Sequence, residues 1–277
     1  MSADPSLSAR AAAAHGTPSA SASVGGWALT RAIVRRGFIV LPRIPSAIIP
    51  ALAMPLFITI AFTGTFGDLA NLPVYPTDNF ANWIGPWAIL QGSAFAAVGA
   101  SIGVARDLEN GFYDRMLVAP APRPGLAFSP AVYAGMRGLS PLVLVLAVVY
   151  LAGGSLQSPL GLVKATIAAV GVAASAAQWG LGIFYRFKTQ RAAALVQIGI
   201  FSSMFLTTGQ APIDFMEGWL PYAARVNPMT YVLGMARQGF LDTGVTWADT
   251  WPGLLALAGM LVLLSWFCWR GFKKLSP

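Results

Sequence analysis

Six stretches of mostly apolar residues, nearly free of charged side chains, constrain this chain more than any other feature. A helix needs about 20 such residues to cross the hydrocarbon core of a bilayer, so each stretch predicts a transmembrane span. The stretches are 44–66, 84–105, 139–154, 162–184, 192–210 and 251–269, with an earlier start near Pro130 as the alternative for the third. Only 10% of the 277 residues are charged, against about 25% in an ordinary soluble domain. We therefore expect an all-α integral membrane protein with six transmembrane helices.

The residues before the first span divide into two parts. Residues 1–26 are rich in Ala and Ser and have no apolar block like that of a signal peptide, which predicts a disordered cytoplasmic tail. Residues 27–43 place Arg31, Arg35 and Arg36 on one side of a helix and apolar residues on the other. This pattern predicts an amphipathic interfacial helix. A plain extension of the first span is the alternative, because a glycine and a proline interrupt the segment.

Two predicted spans carry stripes of small residues. Gly99 and Gly103 form a GxxxG spacing in the second span. The stripe in the fourth span consists of Ala165, Ala169, Ala173 and Ala177. Small residues let helices approach closely in a membrane, so both stripes are predicted to be packing faces, within the chain or in a dimer.

The positively charged residues are distributed unevenly between the two sides of the predicted spans. Fifteen Lys and Arg precede the first span, lie between the second and third or the fourth and fifth, or follow the sixth. The other side holds Lys164, Arg225 and Arg237. Cytoplasmic loops carry the excess of Lys and Arg, so both termini are predicted to be cytoplasmic.

The interiors of the spans are expected to lack Asp, Glu, Lys and Arg. Carriers driven by ion gradients commonly place such residues within the bilayer, so this class is disfavoured. An ATP-driven transporter needs a nucleotide-binding loop, but no GxxxxGK[ST] sequence occurs in this chain. The sequence therefore favours a transport subunit without its own ATPase site, whose energy comes from a separate chain.

Other classes of protein lack the residues that they would need. The 18 Lys and Arg are scattered rather than gathered on one face, which excludes nucleic acid as a partner. His15 and Cys268 are the only residues of their types, so neither a disulfide framework nor a metal site is expected. Asp107, Glu109 and Asp114 are candidates for catalysis, but flanking arginines and the lack of an accompanying His or Cys favour a solvated or protein-docking surface.

The segment 104–124 carries a recognisable order of residues: acidic Glu109, then Gly111, a short amphipathic helix over 112–118, and Pro120. This order resembles the cytoplasmic loop between the second and third spans of type-2 ABC transporter permeases. These are the drug- and lipid-exporting kind typified by daunorubicin-resistance permeases. The sequence departs from the pattern where further prolines follow Pro120 and stiffen the exit from the loop.

A second group of residues, after the fifth span, strengthens the resemblance. Its members are Thr208, Gly209, Pro212, Gly218, Trp219, Pro221, Asn227, Pro228, Tyr231, Ala236 and Arg237. With the six-span plan, the resemblance extends over nearly the whole chain from residue 27. It implies one permease domain over 27–277 in the bacterial cytoplasmic membrane.

The resemblance implies that the loop 105–124 contains a coupling helix, which seats on a separate ABC ATPase subunit. The residues assigned to this role are Arg106, Asp107, Glu109, Gly111, Phe112, Arg115, Met116, Leu117 and Pro120. Phe112, Met116 and Leu117 recur at helical spacing and are predicted to enter a groove of the partner, within a charged rim. A helix that touches only lipid is the alternative.

The resemblance also implies an extracellular loop, 211–250, with a short re-entrant helix that gates the pathway. The residues assigned to this gate are Pro212, Trp219, Pro221, Asn227, Pro228, Tyr231 and Arg237. The residues themselves predict a helix over 227–241, because Asn227 is a good N-cap and Pro228 fits the first turn. A stabilising lid without gating is the alternative.

The substrate pathway of the resembled permeases lies between two permease halves and is lined by the second and fifth spans. The candidate pathway residues are Gln91, Phe95, Phe201, Met204 and Phe205, although core packing is the commoner fate of such side chains. They suit a hydrophobic or amphipathic drug, antibiotic or lipid. The expected partners are ATPase subunits carrying ATP-Mg, a second identical or related permease half, and the bilayer. No cofactor is expected in this chain, and an ATP-independent carrier or scaffold is the rival hypothesis.

Overall fold

The computed structural model describes residues 25–43, 45–119, 121–241 and 243–275, without the side chains of 45–48 and 50. The predicted disordered tail lies outside the described residues except for Gly25 and Gly26, and Pro120 also lies outside them. Within the described part of the chain all regular structure is helical, and no strand occurs. This result agrees with the predicted all-α class.

Eleven α-helices make up the described fold. They are α1 Gly26–Val40, α2 Pro45–Phe66, α3 Phe80–Glu109, α4 Phe112–Val118, α5 Arg123–Arg137, α6 Leu139–Leu151, α7 Pro159–Phe187, α8 Ala193–Phe205, α9 Leu220–Val226, α10 Pro228–Arg237 and α11 Trp247–Phe272. Short 3₁₀ helices occupy Leu41–Arg43, Gly67–Asn71, Gln190–Ala192 and Ile213–Phe215.

Five of the predicted membrane spans have a counterpart long and apolar enough to cross a bilayer. In the described residues these are Ala51–Asn71, Phe80–Glu109, Arg123–Leu151, Pro159–Phe187 and Trp247–Phe272. The predicted span 192–210 corresponds to α8, whose 13 residues reach only about 20 Å. The protein is therefore a multi-pass membrane protein, and the sixth span stays a prediction.

The third span begins earlier than residue 139, which favours the alternative start near Pro130, and it extends back to Arg123. It runs through α5 and α6 as one stretch of 29 residues, because Gly138 keeps a right-handed helical conformation at the junction. Arg137 therefore lies inside a span and not in the predicted loop. Lys164 lies within α7 as well. The expectation that the span interiors lack charged residues is thus wrong, and so is the count of Arg137 among the loop bases.

The centre of the bundle consists of α3 and α7, which pack more extensively on each other than any other helix pair. The predicted alanine stripe of α7 lies in this core, since Ala165, Ala169, Ala173 and Ala177 are all buried. Gly103 differs, because a Cβ added there would meet no atom within 4 Å. The prediction of a packing face is therefore confirmed for the alanines and wrong, within this chain, for Gly103.

The helices α3 and α7 run in the same direction, so the bundle has two distinct ends. At one end, Tyr113 Oη on α4 lies 3.2 Å from Tyr185 Oη near the end of α7. We name this end the basic end, because arginines of α1, α3 and α4 lie there. At the other end, Asn79 Nδ2 donates to Ala152 O over 3.0 Å, before the start of α7. We name it the distal end, and it also contains α9 and α10.

Candidate functional site

The first helix, α1, has the predicted amphipathic character. Leu29, Ile33 and Val34 are half-buried against the core, while Arg31 and Arg35 are exposed. A glycine at position 37 does not interrupt the helix. It instead allows close packing, since Tyr133 Oη on α5 donates to its carbonyl over 3.1 Å. The helix therefore rests on α5, and its place at a membrane surface stays a prediction.

The helix α4 occupies the segment predicted to form the coupling helix. It begins after Gly111, whose φ of +65° lies in the left-handed region that favours glycine. Met116 and Leu117 are half-buried against the protein's own core, so they are only partly available to a partner. The exposed side chains of α4 are Asp114, Arg115 and Val118. Val118 was not among the residues assigned to the coupling role. Its position at the last residue of the predicted helix could have indicated its exposure.

A tyrosine pair anchors α4 to the bundle. Tyr113 is 2% exposed, and its hydroxyl donates to Leu126 O of α5 over 3.1 Å. The hydroxyl of Tyr185 on α7 lies 3.2 Å from the same oxygen atom of Tyr113. Burial raises the pKa of Tyr113 above its ordinary value, so this hydroxyl stays protonated at neutral pH. The sequence prediction missed this anchor.

The carboxylate of Glu109, at the end of α3, is held by the loop between α7 and α8. Its Oε1 accepts hydrogen bonds from Gln190 N at 2.8 Å and from Thr189 Oγ1 at 3.0 Å. Its Oε2 accepts another from Gln190 Nε2. Glu109 is solvent-exposed, so a partner protein can still reach it, but its contacts within the chain join two loops of the basic end.

An ion pair joins α1 to the end of α3. Arg36 binds Asp107 through two hydrogen bonds of 2.6 and 2.8 Å, and its guanidinium lies 4.5 Å from the ring centroid of Phe112 on α4. The hydrogen bonds with Asp107 raise the pKa of Arg36. Arg115 lies 5.9 Å from the same ring. The predicted residues Asp107, Phe112 and Arg115 therefore meet at one place, together with an arginine that the prediction did not include.

At the distal end, Asn227 binds two helices at once. Its side-chain oxygen accepts from Met229 N at 3.0 Å, which confirms it as the N-cap of α10. Its Nδ2 donates to Ser203 O at 2.6 Å and to Leu206 O at 2.8 Å, at the end of α8. The predicted helix 227–241 is therefore present, although it ends at Arg237.

Arg237 is buried at the distal end and is held by carbonyl groups and an aromatic ring. It donates to Gly209 O over 2.8 Å and to Trp83 O over 3.3 Å, and its guanidinium lies 3.6 Å from the Trp83 ring centroid. No carboxylate lies within 4.0 Å of it among the described residues. Burial lowers the pKa of Arg237, but the ordinary value is so high that the group remains charged at neutral pH. The same environment raises the pKa of Tyr75, chiefly through burial.

The residue after Arg237 takes part in a second buried cluster, which the sequence prediction missed. Lys164 Nζ on α7 donates to Gln238 Oε1 over 2.8 Å and also binds Thr250 Oγ1 on α11. Next to this cluster, a Cβ added at Gly161 would lie 2.0 Å from Gly239 Cα. The end of α10 is thus fastened to α7 and α11. A lysine beside an alanine stripe was the available signal.

The other predicted gate residues divide between the surface and the interior. Pro212 is buried and Pro221 is half-buried, whereas Trp219 and Pro228 are exposed. Tyr231 is also exposed, and its hydroxyl donates to the backbone carbonyl of a residue in α9 over 2.7 Å. The predicted gate residues therefore differ in exposure, and their role as a gate stays a prediction.

The predicted pathway residues separate into an aromatic row and two core residues. Phe95 and Phe201 have ring centroids 5.0 Å apart, and Phe201 and Phe205 have centroids 5.8 Å apart. Met204 is buried and lines a cavity of about 240 Å³, together with Met229 and Met260. Gln91 is fully buried, and neither polar atom of its amide has a hydrogen-bond partner among the described residues.

The described residues contain no group of three His, Cys, Asp or Glu side chains that could hold a metal ion. The two ends of the bundle instead carry contacts that join helices. The basic end presents a short helix braced by four others, and the distal end presents a buried polar cluster. Neither arrangement resembles a catalytic constellation.

The chain is similar to known transport proteins along most of its length. A family model described as ABC-2 type transporter matches residues 28–241. A protein of Porphyra purpurea that carries the name transport permease ycf38 is 26% identical over 216 residues, covering 76% of this chain and 74% of the relative. A protein of the same name from Cyanophora paradoxa is 26% identical over 222 residues, covering 78% of this chain and 74% of the relative.

Proposed function

The chain belongs to the ABC-2 type transporter family, and we propose that it is the permease subunit of an ATP-driven exporter. In this proposal a separate ABC ATPase subunit binds ATP-Mg, and the basic end faces the cytoplasm together with both termini. The membrane is the bacterial cytoplasmic membrane. The cargo is a hydrophobic or amphipathic compound such as a drug, an antibiotic or a lipid.

The bracing of α4 is the observation that carries the proposal. A helix that only rested on lipid would need no fixed orientation relative to the bundle. Here Tyr113 fastens α4 to α5 and α7, and Phe112 lies against an arginine of α1. A push on the exposed side chains of α4 would therefore be passed to several helices, as coupling to an ATPase requires.

The surface of α4 supports a protein partner. Val118 is 87% exposed, and charged Asp114 and Arg115 lie on the same exposed side. An apolar side chain within a mixed charged rim is typical of a protein-docking surface. Glu109 borders this surface through the loop 188–192, so we assign that loop to the docking area as well.

The cargo class rests on the aromatic row of α3 and α8. Phe201 and Phe205 are more than a third exposed although they lie in an apolar helix. In the proposed transporter a second permease half, identical or related, faces this row, and the cargo passes between the two halves. The adjacent methionine-lined cavity offers pliable apolar surface, which suits cargo of variable shape.

The proposal is tested by changing the exposed apolar residue of α4. Val118→Asp should abolish copurification with the ATPase subunit and substrate-stimulated ATP hydrolysis, because it places a desolvated charge in the interface. The variant should remain folded, since Val118 makes little contact with the bundle. The matched control is Val226→Asp in α9, which is 83% exposed at the distal end. Equal copurification and ATPase stimulation in both variants would contradict the docking role of α4.

A carrier driven by an ion gradient is a second candidate, because Arg137 and Lys164 are buried within spans. Transport into vesicles reconstituted with the permease and its ATPase subunit distinguishes the two functions. ATP-driven export should persist when a protonophore collapses the proton gradient and should stop when ATP is withheld. The opposite pattern would favour the carrier.

A further inference from the structure

A groove of about 230 Å³ lies between α1, α3 and α5 at the basic end. Its lining combines apolar residues with three arginines, Arg36, Arg106 and Arg137, and one carboxylate, Asp107. We propose that this groove binds an anionic phospholipid, with the phosphate at the arginines and an acyl chain along the apolar wall. The site does not include the exposed surface of α4, so it goes beyond the proposed docking of an ATPase.

The charges of the lining favour an anion. Asp107 is already bound by Arg36 through two hydrogen bonds. Arg106 is exposed, and no carboxylate lies within 4.0 Å of it among the described residues. With three guanidinium groups and one carboxylate, the lining therefore has a net positive charge. Arginine binds phosphate oxygens in a planar, bidentate geometry, which suits a lipid headgroup.

The third arginine of the groove lining, Arg137, is buried. Arg137 lies inside the span and is 5% exposed. It is hydrogen-bonded to Tyr133, whose hydroxyl in turn donates to the carbonyl of Gly37 over 3.1 Å. Gly37 directly follows Arg36 in α1. Tyr133 therefore connects Arg137 to the backbone of α1 beside Arg36, and a phosphate in the groove would offset the cost of burying the guanidinium.

The wall of the groove that faces the bundle is apolar and open. Gly99 and Gly103 form part of it, and a Cβ at Gly103 would have open space around it. Ile33 and Val40 of α1 line the same groove. An acyl chain would remove this surface from water, whereas a free inorganic anion would leave it uncovered.

The net charge of the headgroup decides which lipid the groove binds. A zwitterionic headgroup brings its own cation close to the arginines, whereas a headgroup with a net negative charge does not. The attraction of basic residues to anionic lipids near a membrane surface has the same origin. The site is therefore expected to select phosphatidylglycerol over phosphatidylcholine.

Binding to the purified chain in detergent, measured by native mass spectrometry, tests the inference. The wild-type chain should bind phosphatidylglycerol at least tenfold more tightly than phosphatidylcholine, and an equal concentration of inorganic phosphate should not compete. Arg106→Gln should weaken phosphatidylglycerol binding at least fivefold by removing an exposed headgroup contact. Gly103→Leu should weaken it similarly by filling the apolar wall, since an added Cβ would meet no atom within 4 Å.

Two matched controls keep the test decisive. Lys274→Gln removes an exposed charge after α11, and Gly259→Leu enlarges a glycine of α11 around which there is open space. Both should bind as the wild-type chain does. Unchanged binding in Arg106→Gln and Gly103→Leu would show that the lipid does not bind in this groove. Equal binding of phosphatidylcholine would contradict selection by headgroup charge. Competition by inorganic phosphate would show that the site binds free phosphate and not a lipid. None of these outcomes depends on an ATPase, so they are distinct from failure of the proposed function.

Discussion

The two ends of the molecule hold their helices together by different means. At the basic end the polar contacts that join loops reach solvent: Glu109 is exposed, and in the ion pair the side chain of Arg36 is 48% exposed and that of Asp107 is 18% exposed. At the distal end Lys164, Arg237 and Gln238 are all buried, and their partners are carbonyl, amide and hydroxyl groups. Exposed pairs contribute little and are screened by salt, whereas buried polar groups are costly to leave unpaired.

This contrast suggests that the two ends have different roles, one in coupling and the other in stability. In the proposed transporter, contacts that cost little to break would allow the loops of the basic end to rearrange when an ATPase subunit acts on α4. The buried contacts at the distal end hold α10 against α3, α7 and α11. Deeply buried tyrosines at the basic end hold α4 itself in place. We therefore expect the distal end to set stability and the basic end to set coupling, and three substitutions test this.

The largest effect is expected at Arg237. Arg237→Met keeps an unbranched stem but removes two hydrogen bonds from a charged donor, each worth about 1.5–3 kcal/mol. Relief from burying the charge offsets part of that loss, so the net destabilisation should be about 2–4 kcal/mol. Thermal unfolding in detergent should show a melting temperature lower by roughly 5–15 °C.

Arg225→Met is the control for this substitution, because Arg225 is an exposed arginine in α9 of the same distal end. It should melt within about one degree of the wild-type chain, as most surface substitutions do. Similar melting temperatures for the two variants would mean that the buried arginine does not hold the distal end together, and the comparison between the ends would fail.

A smaller effect is expected at Asn227, where one side chain serves two helices. Asn227→Ala should cost about 1–3 kcal/mol, because it removes the N-cap of α10 and leaves two carbonyl groups of α8 without their donor. Asn227→Ser should recover about 1 kcal/mol, since serine also caps helices but is too short to reach α8. Chemical or thermal unfolding of the three proteins measures both steps. Full recovery by serine would show that the bond to α8 has no energetic weight.

The smallest effect on stability is expected at the basic end. Asp107→Asn removes the charge that binds Arg36 and should lower stability by about 0–1 kcal/mol, as for other exposed pairs. It should nevertheless loosen α1, because this pair joins α1 to α3. Limited proteolysis within α1 should therefore become faster, and high salt should have the same effect on the wild-type chain. A large fall in melting temperature would contradict the proposed difference between the ends.

Local sequence patterns were sufficient for several elements. The helix 112–118 has the predicted bounds, because Gly111 supplies the left-handed residue before it and its apolar residues recur at helical spacing. Asn227 caps its helix as expected, since a side-chain oxygen at that position satisfies a free N–H wherever the helix packs. The sequence also indicated the family, through residues of two separate segments.

The partners of the charged residues could not be predicted in this way. Glu109 binds residues 80 positions away, and Lys164 binds residues 74 and 86 positions away. Hydropathy and spacing describe only neighbours along a helix, so they cannot state which loops meet. The position of Arg137 was predicted wrongly for a related reason. Gly138 packs closely against α7, where an added Cβ would lie 2.7 Å from that of Ala173, and local sequence patterns do not show this contact.

The sequence by itself determined the membrane setting, five of the spans, the amphipathic α1 and the short helices at both ends. Hydropathy, the spacing of apolar residues and helix capping are properties of one continuous segment, so they can be read without knowledge of the tertiary structure. Only the tertiary structure decided that the basic end is joined by exposed pairs and the distal end by buried ones. Whether a given arginine is exposed or buried depends on which helices surround it. That arrangement follows from the packing of side chains far apart in the chain, in which small residues such as Gly138 and Gly161 allow close approaches.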